Sequence, residues 1–306
     1  MTAKKLDAVT GAFGYTGKYI TTNLLSRGRD VITLTSKPVS TSPFGERVQP
    51  YPFSFDQPDL LATNLKGVDT LYNTYWVRFN HGSTTFQQAV DNTRTLINAA
   101  VEAGVRRFVH VSIANPSLDS PLPYYKGKAE LEESIKSSGL SYAILRPTVV
   151  FGREDILINN IAWLLRRFPL FAVPGDGEYK LKPIYVEDLA GLAVEAGAGD
   201  ENQIIDAVGP EIYTFNELAE LLKSAVGSRS RLVCLPPMLA WRLSQILGAL
   251  VGDNMLTREE VLGLMDNLLV SGQMPTGSTL LSTWVRDNVD TLGAKYANEL
   301  ARHFIG

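Results

Sequence analysis

Cysteine is nearly absent from this chain, which has a single thiol among its 306 residues. One cysteine excludes an intrachain disulfide framework and is typical of proteins of the reducing cytosol. The thiol belongs to Cys234, which lies within the apolar run Leu232–Leu235. We therefore predict a buried structural thiol here and not a nucleophile.

Histidine is scarce as well, and His81, His110 and His303 lie far apart in the sequence. None of them has metal-ligand spacing to another histidine or to Cys234, so we predict no metal site. His110 stands inside an apolar, strand-like run. There we expect a core or sheet histidine whose hydrogen bonds are satisfied.

No sign of charge dominates, because the net charge is only −3. The chain therefore has no basic field for holding a phosphate backbone, and nucleic acid is not an expected partner. No targeting signal is visible, since Lys4 and Lys5 lead directly into a short strand-like run. These features predict a soluble, cytoplasmic protein.

Long apolar runs are also missing. The most apolar late stretch, Met238–Met255, contains Arg242 and Asp253 and is too short and too polar to span a bilayer. Within it, Leu239–Leu250 is amphipathic and could touch a membrane or a partner. We interpret this segment as an ordinary core helix, and we predict no transmembrane segment.

What the sequence does contain is an alternation of strand-like and helix-like segments over its first two thirds. This alternation is typical of βαβ units, so we predict an α/β fold with a Rossmann-type, doubly wound parallel sheet. The predicted strands are Leu6–Thr10, Val31–Thr35, Val68–Thr74, Arg107–Ser112, Tyr142–Arg146 and Ile204–Val208.

The later part of the chain has a different pattern, because it becomes mostly helical and contains no repeats. Thr214 and Thr257 each precede a glutamate by three residues, which predicts capping boxes at two helix starts. We predict a dinucleotide-binding domain and a smaller, mostly helical C-terminal substrate lobe. The predicted bounds are 1–150, with 180–209 returning to it, for the first domain, and 151–179 with 210–306 for the lobe.

Glycines recur at the first strand–helix junction, in the run Thr10-Gly11-Ala12-Phe13-Gly14-Tyr15-Thr16-Gly17. Gly11 permits a tight turn, Gly14 lets backbone N–H groups approach a pyrophosphate, and Gly17 lets helix and strand pack closely. The N-terminus of the helix would then face the anion. The run therefore predicts a dinucleotide site.

Two other interpretations of this turn compete. An ATP or GTP phosphate loop nearly fits, but Tyr19 stands where a magnesium-binding Ser or Thr belongs, and the first glycine is missing. A glycine-rich turn that binds nothing is the other alternative. The position of the run between the first strand and the first helix favours dinucleotide binding over both.

The end of the second strand indicates which dinucleotide is bound. An NAD site would place an acid here to take the ribose hydroxyls, but the strand ends in Thr35-Ser36-Lys37. Asp30 lies at the opposite end of the strand. Ser36 and Lys37 would suit a 2′-phosphate, so we predict NADP, with NAD the less favoured cofactor and a solvated loop lysine the alternative.

Candidate catalytic residues follow the strand that begins at Arg107. Ser112 ends that strand, and Tyr124 and Lys128 are four apart at the start of a helix, so they share one face. A nearby ammonium favours the phenolate and lowers a tyrosine pKa, which helps proton transfer near neutrality. Ser112 could hydrogen-bond a substrate oxygen. The alternative is an exposed tyrosine beside a surface lysine.

These motifs together resemble the short-chain dehydrogenase/reductases. The resemblance lies in T-G-x-x-G-x-x-G, "FSFDQPDL" with Asp56, "NT" after the strand ending near Thr74, "VHVS", Y-x-x-x-K and "ILRPTVVFG", which fall in that family's order. The chain is similar to the extended and atypical branches of that family. These include the nucleoside-diphosphate-sugar epimerase-like proteins, the NmrA-like proteins and the nucleotide-binding accessory subunit of respiratory complex I.

The resemblance also implies roles for individual residues. Those implied to hold the pyrophosphate are Gly11, Phe13, Gly14, Tyr15 and Thr16. Asp56 and Gln57 would contact adenine, and Thr74 and Tyr75 would lie beside the ribose. Lys128 would hold the nicotinamide ribose as well as tune Tyr124. Those implied to flank the nicotinamide are Pro147, Val149 and Val150.

Two functions of different classes remain. The first is an NADP-dependent oxidoreductase or epimerase that acts on a carbonyl or alcohol of a small, possibly nucleotide-sugar-like molecule. Here Tyr124 would be the acid/base, Ser112 the orienting donor and Lys128 the tuning cation. The second is a non-catalytic NADP(H)-binding sensor, assembly factor or accessory subunit. Retention of all three residue types favours the enzyme, and neither the substrate nor the oligomeric state follows from the sequence.

Overall fold

The structure, a computed structural model, describes residues 5–82 and 84–300. The strands are β1 Leu6–Thr10, β2 Asp30–Leu34, β3 Val48–Tyr51, β4 Val68–Asn73, β5 Arg107–Val111, β6 Ser141–Pro147, β7 Val150–Phe151, β8 Leu170–Pro174, β9 Lys180–Leu181, β10 Ile184–Tyr185, β11 Gln203–Ala207, β12 Tyr213–Thr214 and β13 Arg231–Leu235.

The helices follow the same chain order. They are α1 Tyr15–Ser26, α2 Pro58–Asn64, α3 Phe86–Glu102, α4 Pro123–Ser137, α5 Leu157–Arg167, α6 Val186–Ala198, α7 Phe215–Ala225, α8 Pro237–Val251, α9 Arg258–Met265 and α10 Leu281–Asp287, with short 3-10 helices at Val39–Thr41 and Gly45–Arg47. The chain forms two compact units. The first comprises the residues up to Pro147 and Val186–Ala207, and the second comprises Thr148–Tyr185 and the residues from Val208 onward.

The first unit is built on a seven-stranded sheet in the order β11-β6-β5-β4-β1-β2-β3. Every neighbouring pair in it is parallel. The strand order reverses between β1 and β4, and ligands of such sheets bind beyond the carboxyl ends of the strands at this switch point. The predicted doubly wound α/β fold with a mostly helical C-terminal part is confirmed.

The strands of this sheet are buried because helices cover them, which is why they occur in the sequence as short apolar runs. β1 has the predicted bounds, and the other predicted strands are observed within one residue at each end. The prediction missed β3, which contains Pro50. β3 is an edge strand, where a proline is tolerated because one side of the strand needs no hydrogen-bond donor.

Charged side chains gather at the amino ends of these strands. Arg29 binds the buried Asp7 through two hydrogen bonds and also donates to Asp69. Asp69 in turn accepts bonds from Arg106, at 3.0 and 3.1 Å, and from Lys5. Burial opposes ionisation of Asp69, but the bonds from these cations hold its pKa well below its usual range. We call these five residues the amino-edge ion cluster.

The second unit contains three two-stranded sheets, packed with helices around its own hydrophobic core. Both predicted capping boxes are confirmed: Thr214 and Thr257 each accept a hydrogen bond from the backbone of the glutamate three residues on, whose side chain bonds back. Of the helices in the described part of the chain, none is long and apolar enough to cross a membrane.

Two predictions for the second unit are wrong. Cys234 is exposed, because β13 pairs only with β8 in a two-stranded sheet and is not covered as a core strand would be. The segment Leu239–Leu250 forms most of α8, but it is not a core helix. Of the residues in α8, only Ala240 and Gly248 are buried.

Candidate functional site

The glycine turn between β1 and α1 is held by backbone hydrogen bonds. Gly11 has φ +67°, a conformation that favours glycine, and its N–H donates to the Leu34 carbonyl at 2.8 Å. The Gly14 N–H donates to the Gly11 carbonyl at 2.8 Å, which closes the turn. The tight turn predicted at Gly11 is therefore present at the carboxyl ends of β1 and β2.

The turn leaves no room for side chains at two further glycines. A Cβ on Gly17 would lie 2.3 Å from the Gly11 carbonyl oxygen, and one on Gly14 would lie 3.1 Å from it. Gly14 is the N-cap of α1, and no side chain caps this helix. A helix N-terminus without a side-chain cap, at a turn bounded by glycines, fits a pyrophosphate, because the N–H groups and the helix dipole both favour an anion.

Thr10 ties this turn to the end of β4. Its hydroxyl oxygen accepts from the N–H groups of Thr74, at 2.7 Å, and Tyr75, at 3.0 Å, while the hydroxyl donates to Asn73 Oδ1 at 3.0 Å. The Thr74 hydroxyl donates back to the Thr10 carbonyl at 2.6 Å. The roles of Thr10 and Asn73 were not predicted, although Thr10 begins the glycine motif and Asn73 begins the "NT" motif.

The predicted adenine and ribose contacts gather at the ends of β3 and β4. Phe53, Phe55 and Tyr75 form an aromatic cluster with ring centroids 5.0–5.1 Å apart. Asp56 and Gln57 follow it and are exposed, and the Gln57 side chain does not cap α2. Their predicted contacts with adenine stay predictions.

Lys37 reaches the glycine turn from the end of β2. Its Nζ lies 3.5 Å from the Phe13 carbonyl oxygen, and its N–H donates to the Thr35 hydroxyl at 3.1 Å. Ser36, between them, is exposed. Lys37, the lysine predicted to bind a 2′-phosphate, therefore has its ammonium beside the glycine turn.

Lys128 is a buried lysine whose ammonium lies at the end of β5. Its side chain is 2% exposed, and Nζ donates to the Val111 carbonyl at 2.9 Å. Nζ also lies 4.5 Å from the ring centroid of Trp76. Burial lowers the pKa of Lys128 to about 7, although Glu132 opposes the shift. At neutral pH this side chain can therefore hold or release a proton.

Tyr124, one helical turn before Lys128 on α4, lies in an aromatic cluster. Its ring meets Trp76 and Phe86 edge to face, with centroids 5.6 and 5.7 Å away. A Cβ on Gly127 would lie 3.1 Å from the Trp76 ring, so a larger residue there would require the ring to shift slightly. We call Trp76, Phe86 and Tyr124 the aromatic box. Tyr124 was predicted from the sequence, but its ring partners were not.

Ser112 has a partner that the sequence analysis did not predict. Its hydroxyl donates to Glu132 Oε1 at 2.6 Å, and the same carboxylate accepts two bonds from Arg146, at 2.5 and 3.0 Å. Ser112 and Glu132 are 4% and 1% exposed. The hydroxyl proton is thus used inside the protein. The position of Glu132, one helical turn after Lys128, was the signal available in the sequence.

His110 is buried in the sheet, as expected, but its hydrogen bonding is incomplete. Its Nδ1 lies 3.0 Å from Asn73 Nδ2, a donor, so Nδ1 accepts. Burial and the charge of Lys128 hold the pKa of His110 well below its usual range. The imidazole is therefore neutral with its proton on Nε2, and that atom has no partner within residues 5–82 and 84–300.

The residues predicted to flank the nicotinamide fall in both units. Pro147 is the last residue of β6 in the first unit. Val150 begins β7 in the second unit, and Val149 is buried in that unit's core. Their contact with a nicotinamide stays a prediction. No group of three or more His, Cys, Asp or Glu that could hold a metal occurs among the described residues.

The comparisons with known proteins agree with this geometry. Residues 11–155 match a family model described as NAD(P)H-binding. The chain is 25% identical over 239 residues to the mitochondrial NADH dehydrogenase [ubiquinone] 1 alpha subcomplex subunit 9 of Arabidopsis thaliana, which covers 74% of this chain and 60% of that protein. This chain therefore spans about three fifths of that relative's length.

A second relative and one solved structure bear enzyme names. The chain is 28% identical to the NAD(P)H azoreductase of Xenophilus azovorans over 58% of this chain and 59% of that protein. The NADPH-dependent quinone oxidoreductase of Escherichia coli, solved with NADPH, superposes with a TM-score of 0.74 at 22% identity, over 92% of this chain and 99% of that one. This last likeness shows the fold.

Proposed function

We propose that this chain, which carries an NAD(P)H-binding domain of the short-chain dehydrogenase/reductase type, is an NADP(H)-dependent oxidoreductase acting on a small carbonyl-type molecule. The observation that carries the proposal is Lys128, a lysine with a pKa of about 7 on the same helix face as Tyr124. It hydrogen-bonds at the carboxyl end of β5, the edge of the sheet where ligands of such folds bind.

NADPH, when bound, supplies the hydride, and the chain's residues must hold it and deliver a proton. The uncapped N-terminus of α1 and the turn at Gly11 and Gly14 would hold the pyrophosphate. Tyr124 would donate the proton to the substrate oxygen, and Lys128 would return one to the phenolate. Turnover should therefore fall as the pH rises above about 7, since Lys128 then loses its proton.

Ser112 can donate to a substrate oxygen, its predicted role, only by leaving Glu132. Its hydroxyl already donates its hydrogen bond to that carboxylate, which Arg146 holds in place. We therefore assign proton transfer to Tyr124 and Lys128 and propose that Ser112 mainly fixes the start of the loop after β5.

NADP is the proposed cofactor because Lys37 brings an ammonium to the turn at Phe13 and no acid ends β2. The proposed partner is a small-molecule substrate, and the proposed location is the cytoplasm. The names of the azoreductase and the quinone oxidoreductase support a reductase, and both are similar to this chain over more than half its length.

Tyr124→Phe tests the proposal. The change removes the transferable proton but keeps the ring in the aromatic box, so NADPH affinity by fluorescence titration should be unchanged. Turnover on quinones, azo dyes or aldehydes should fall by about 10²–10⁴-fold, the usual contribution of general acid–base catalysis. Tyr125→Phe is the matched control, because Tyr125 is a buried neighbour on another helix face. An active wild type that keeps its rate in Tyr124→Phe contradicts the mechanism.

A non-catalytic NADP(H)-binding subunit is the second candidate. Two observations favour it: the Ser112 hydroxyl is committed to Glu132, and the Trp76 ring lies over Lys128. The relative from Arabidopsis thaliana is named as a subunit of an NADH dehydrogenase. For this function, NADPH should bind with no turnover on the whole substrate panel, and Tyr124→Phe should leave binding unchanged.

A further inference from the structure

The second unit exposes an apolar stripe along α8. Leu239, Leu243, Ile246 and Leu250 are 45%, 38%, 62% and 78% exposed. Their spacing of four, three and four residues puts them on one face of the helix. Single exposed leucines are common on protein surfaces, but an aligned row of this length marks an interaction surface. We call these four residues the α8 stripe.

The two-stranded ribbon of β8 and β13 also exposes apolar side chains. β13 exposes Val233, and its partner β8 exposes Leu170, which is 60% exposed. Val233 and Arg231 are two apart on β13, so they lie on one face of the ribbon. The segment just before α8 therefore also exposes apolar and cationic side chains.

The chain segment that contains the stripe carries charges of one sign. Residues 224–252 contain Arg229, Arg231 and Arg242 and no Asp or Glu, in a chain whose net charge is −3. All three arginines are exposed. A segment with this composition matches a surface that combines hydrocarbon with negative charge.

We propose that the α8 stripe docks this protein in the plane of an anionic phospholipid bilayer. A helix of 15 residues is about 22 Å long, enough to lie in the interface with its leucines among the acyl chains. The arginines would meet lipid phosphates at the rim. A second copy of the chain fits less well, because its own stripe segment carries the same three arginines and no carboxylate to pair with them.

The test is co-flotation of the full chain with phospholipid vesicles. The protein should float with vesicles of phosphatidylcholine that contain the anionic lipid phosphatidylglycerol. Pure phosphatidylcholine vesicles should bind it far less.

Two sets of variants separate the apolar and charged parts. The pair Ile246→Glu with Leu250→Glu should abolish flotation. Each of Arg229→Gln, Arg231→Gln and Arg242→Gln should weaken binding to the anionic vesicles by roughly fivefold. The control is Ile212→Glu, because Ile212 is 51% exposed in the same unit but outside the stripe. It should bind as the wild type does.

Several outcomes would overturn the proposal. One is a wild type that binds neither kind of vesicle, and another is flotation that survives Ile246→Glu with Leu250→Glu. A concentration-dependent dimer in sedimentation, lost in that double variant and accompanied by no flotation, would assign the stripe to a second copy instead. Unchanged circular dichroism and melting temperature show that each variant is folded.

Discussion

The two edges of the seven-stranded sheet are built on opposite principles. At the amino ends of the strands, the amino-edge ion cluster pairs its arginines with Asp7 and Asp69. At the carboxyl ends, the N-terminus of α1 at the glycine turn has no side-chain capping hydrogen bond. The first edge satisfies its charges within the protein, and the second leaves backbone donors for a ligand. Charges that are paired within the protein therefore do not indicate a binding site, whereas hydrogen-bond donors left for a ligand do.

The carboxyl edge itself contains a second contrast. The end at Gly11–Gly17 is fixed by backbone hydrogen bonds, whereas the end at Lys128 is fixed by buried charged side chains. Lys128 and Glu132 are both almost fully buried. The Lys128 ammonium donates to the Val111 carbonyl, and the Glu132 carboxylate accepts from Arg146. A backbone cradle is rigid before its ligand arrives, while buried ionisable groups set proton affinity.

Gly17→Ala would break the carboxyl edge and leave the amino edge intact. The new methyl would lie 2.3 Å from the Gly11 carbonyl oxygen, so the turn must move. We expect NADPH affinity to fall by roughly a hundredfold, which corresponds to about 2.7 kcal/mol and lies within the usual strain of overpacking. Fluorescence titration with NADPH measures it.

The control for Gly17→Ala is Gly191→Ala, a helical position where nothing lies within 4 Å of the added Cβ. It should keep wild-type affinity. If Gly17→Ala fails to fold, Gly14→Val decides the question, because its side chain would fill the space of the pyrophosphate. Retained affinity in a folded Gly14→Val protein would show that the nucleotide does not sit on this turn.

Asp69→Asn would break the amino edge and leave the carboxyl edge intact. The change leaves Arg29, Arg106 and Lys5 without their shared carboxylate. We expect the free energy of unfolding to fall by about 2–3 kcal/mol, less than for a fully buried pair because Asp69 is partly exposed. Urea denaturation measures this, and NADPH affinity at 25 °C should not change.

Asp200→Asn is the matched control for Asp69→Asn. Asp200 also binds Arg106, at 2.6 Å, but its side chain is 86% exposed. An exposed ion pair contributes at most about 1 kcal/mol, so this variant should be nearly as stable as the wild type. An equal loss of stability in both variants would mean that burial does not set the strength of the amino-edge ion cluster.

The sequence predicted those features that depend on backbone geometry and strand burial. Gly11 and Gly17 were identifiable because only glycine fits a left-handed turn and a helix packed closely onto that turn. Tyr124 and Lys128 were identifiable by helical spacing. Trp76 over Lys128 and Glu132 on Ser112 were not predicted, because those contacts join residues whose distance depends on tertiary packing.

The errors in the second unit have the same origin. Cys234 and the α8 stripe have the composition of core residues, and local periodicity cannot tell a face that packs from one that does not. Which face is covered depends on how many strands and helices assemble around it. Here β13 joins a two-stranded sheet, so the apolar segment after it is left exposed.

Lys37→Ala should have the smallest effect, because it removes one charge at the rim of the carboxyl edge. The Lys37 ammonium lies 3.5 Å from the Phe13 carbonyl oxygen, and Lys37 is partly exposed. A charged hydrogen bond at such a position contributes about 1.5 kcal/mol, so NADPH affinity should fall by roughly tenfold. NADH affinity should hardly change, because NADH has no such phosphate. Calorimetric titration of wild type and Lys37→Ala with both cofactors measures the gap. Lys18→Ala is the control, since Lys18 lies on α1 rather than at the end of β2. Equal affinities of the wild type for NADPH and NADH would remove Lys37 as the selecting residue and leave the glycine turn as the shared site for both.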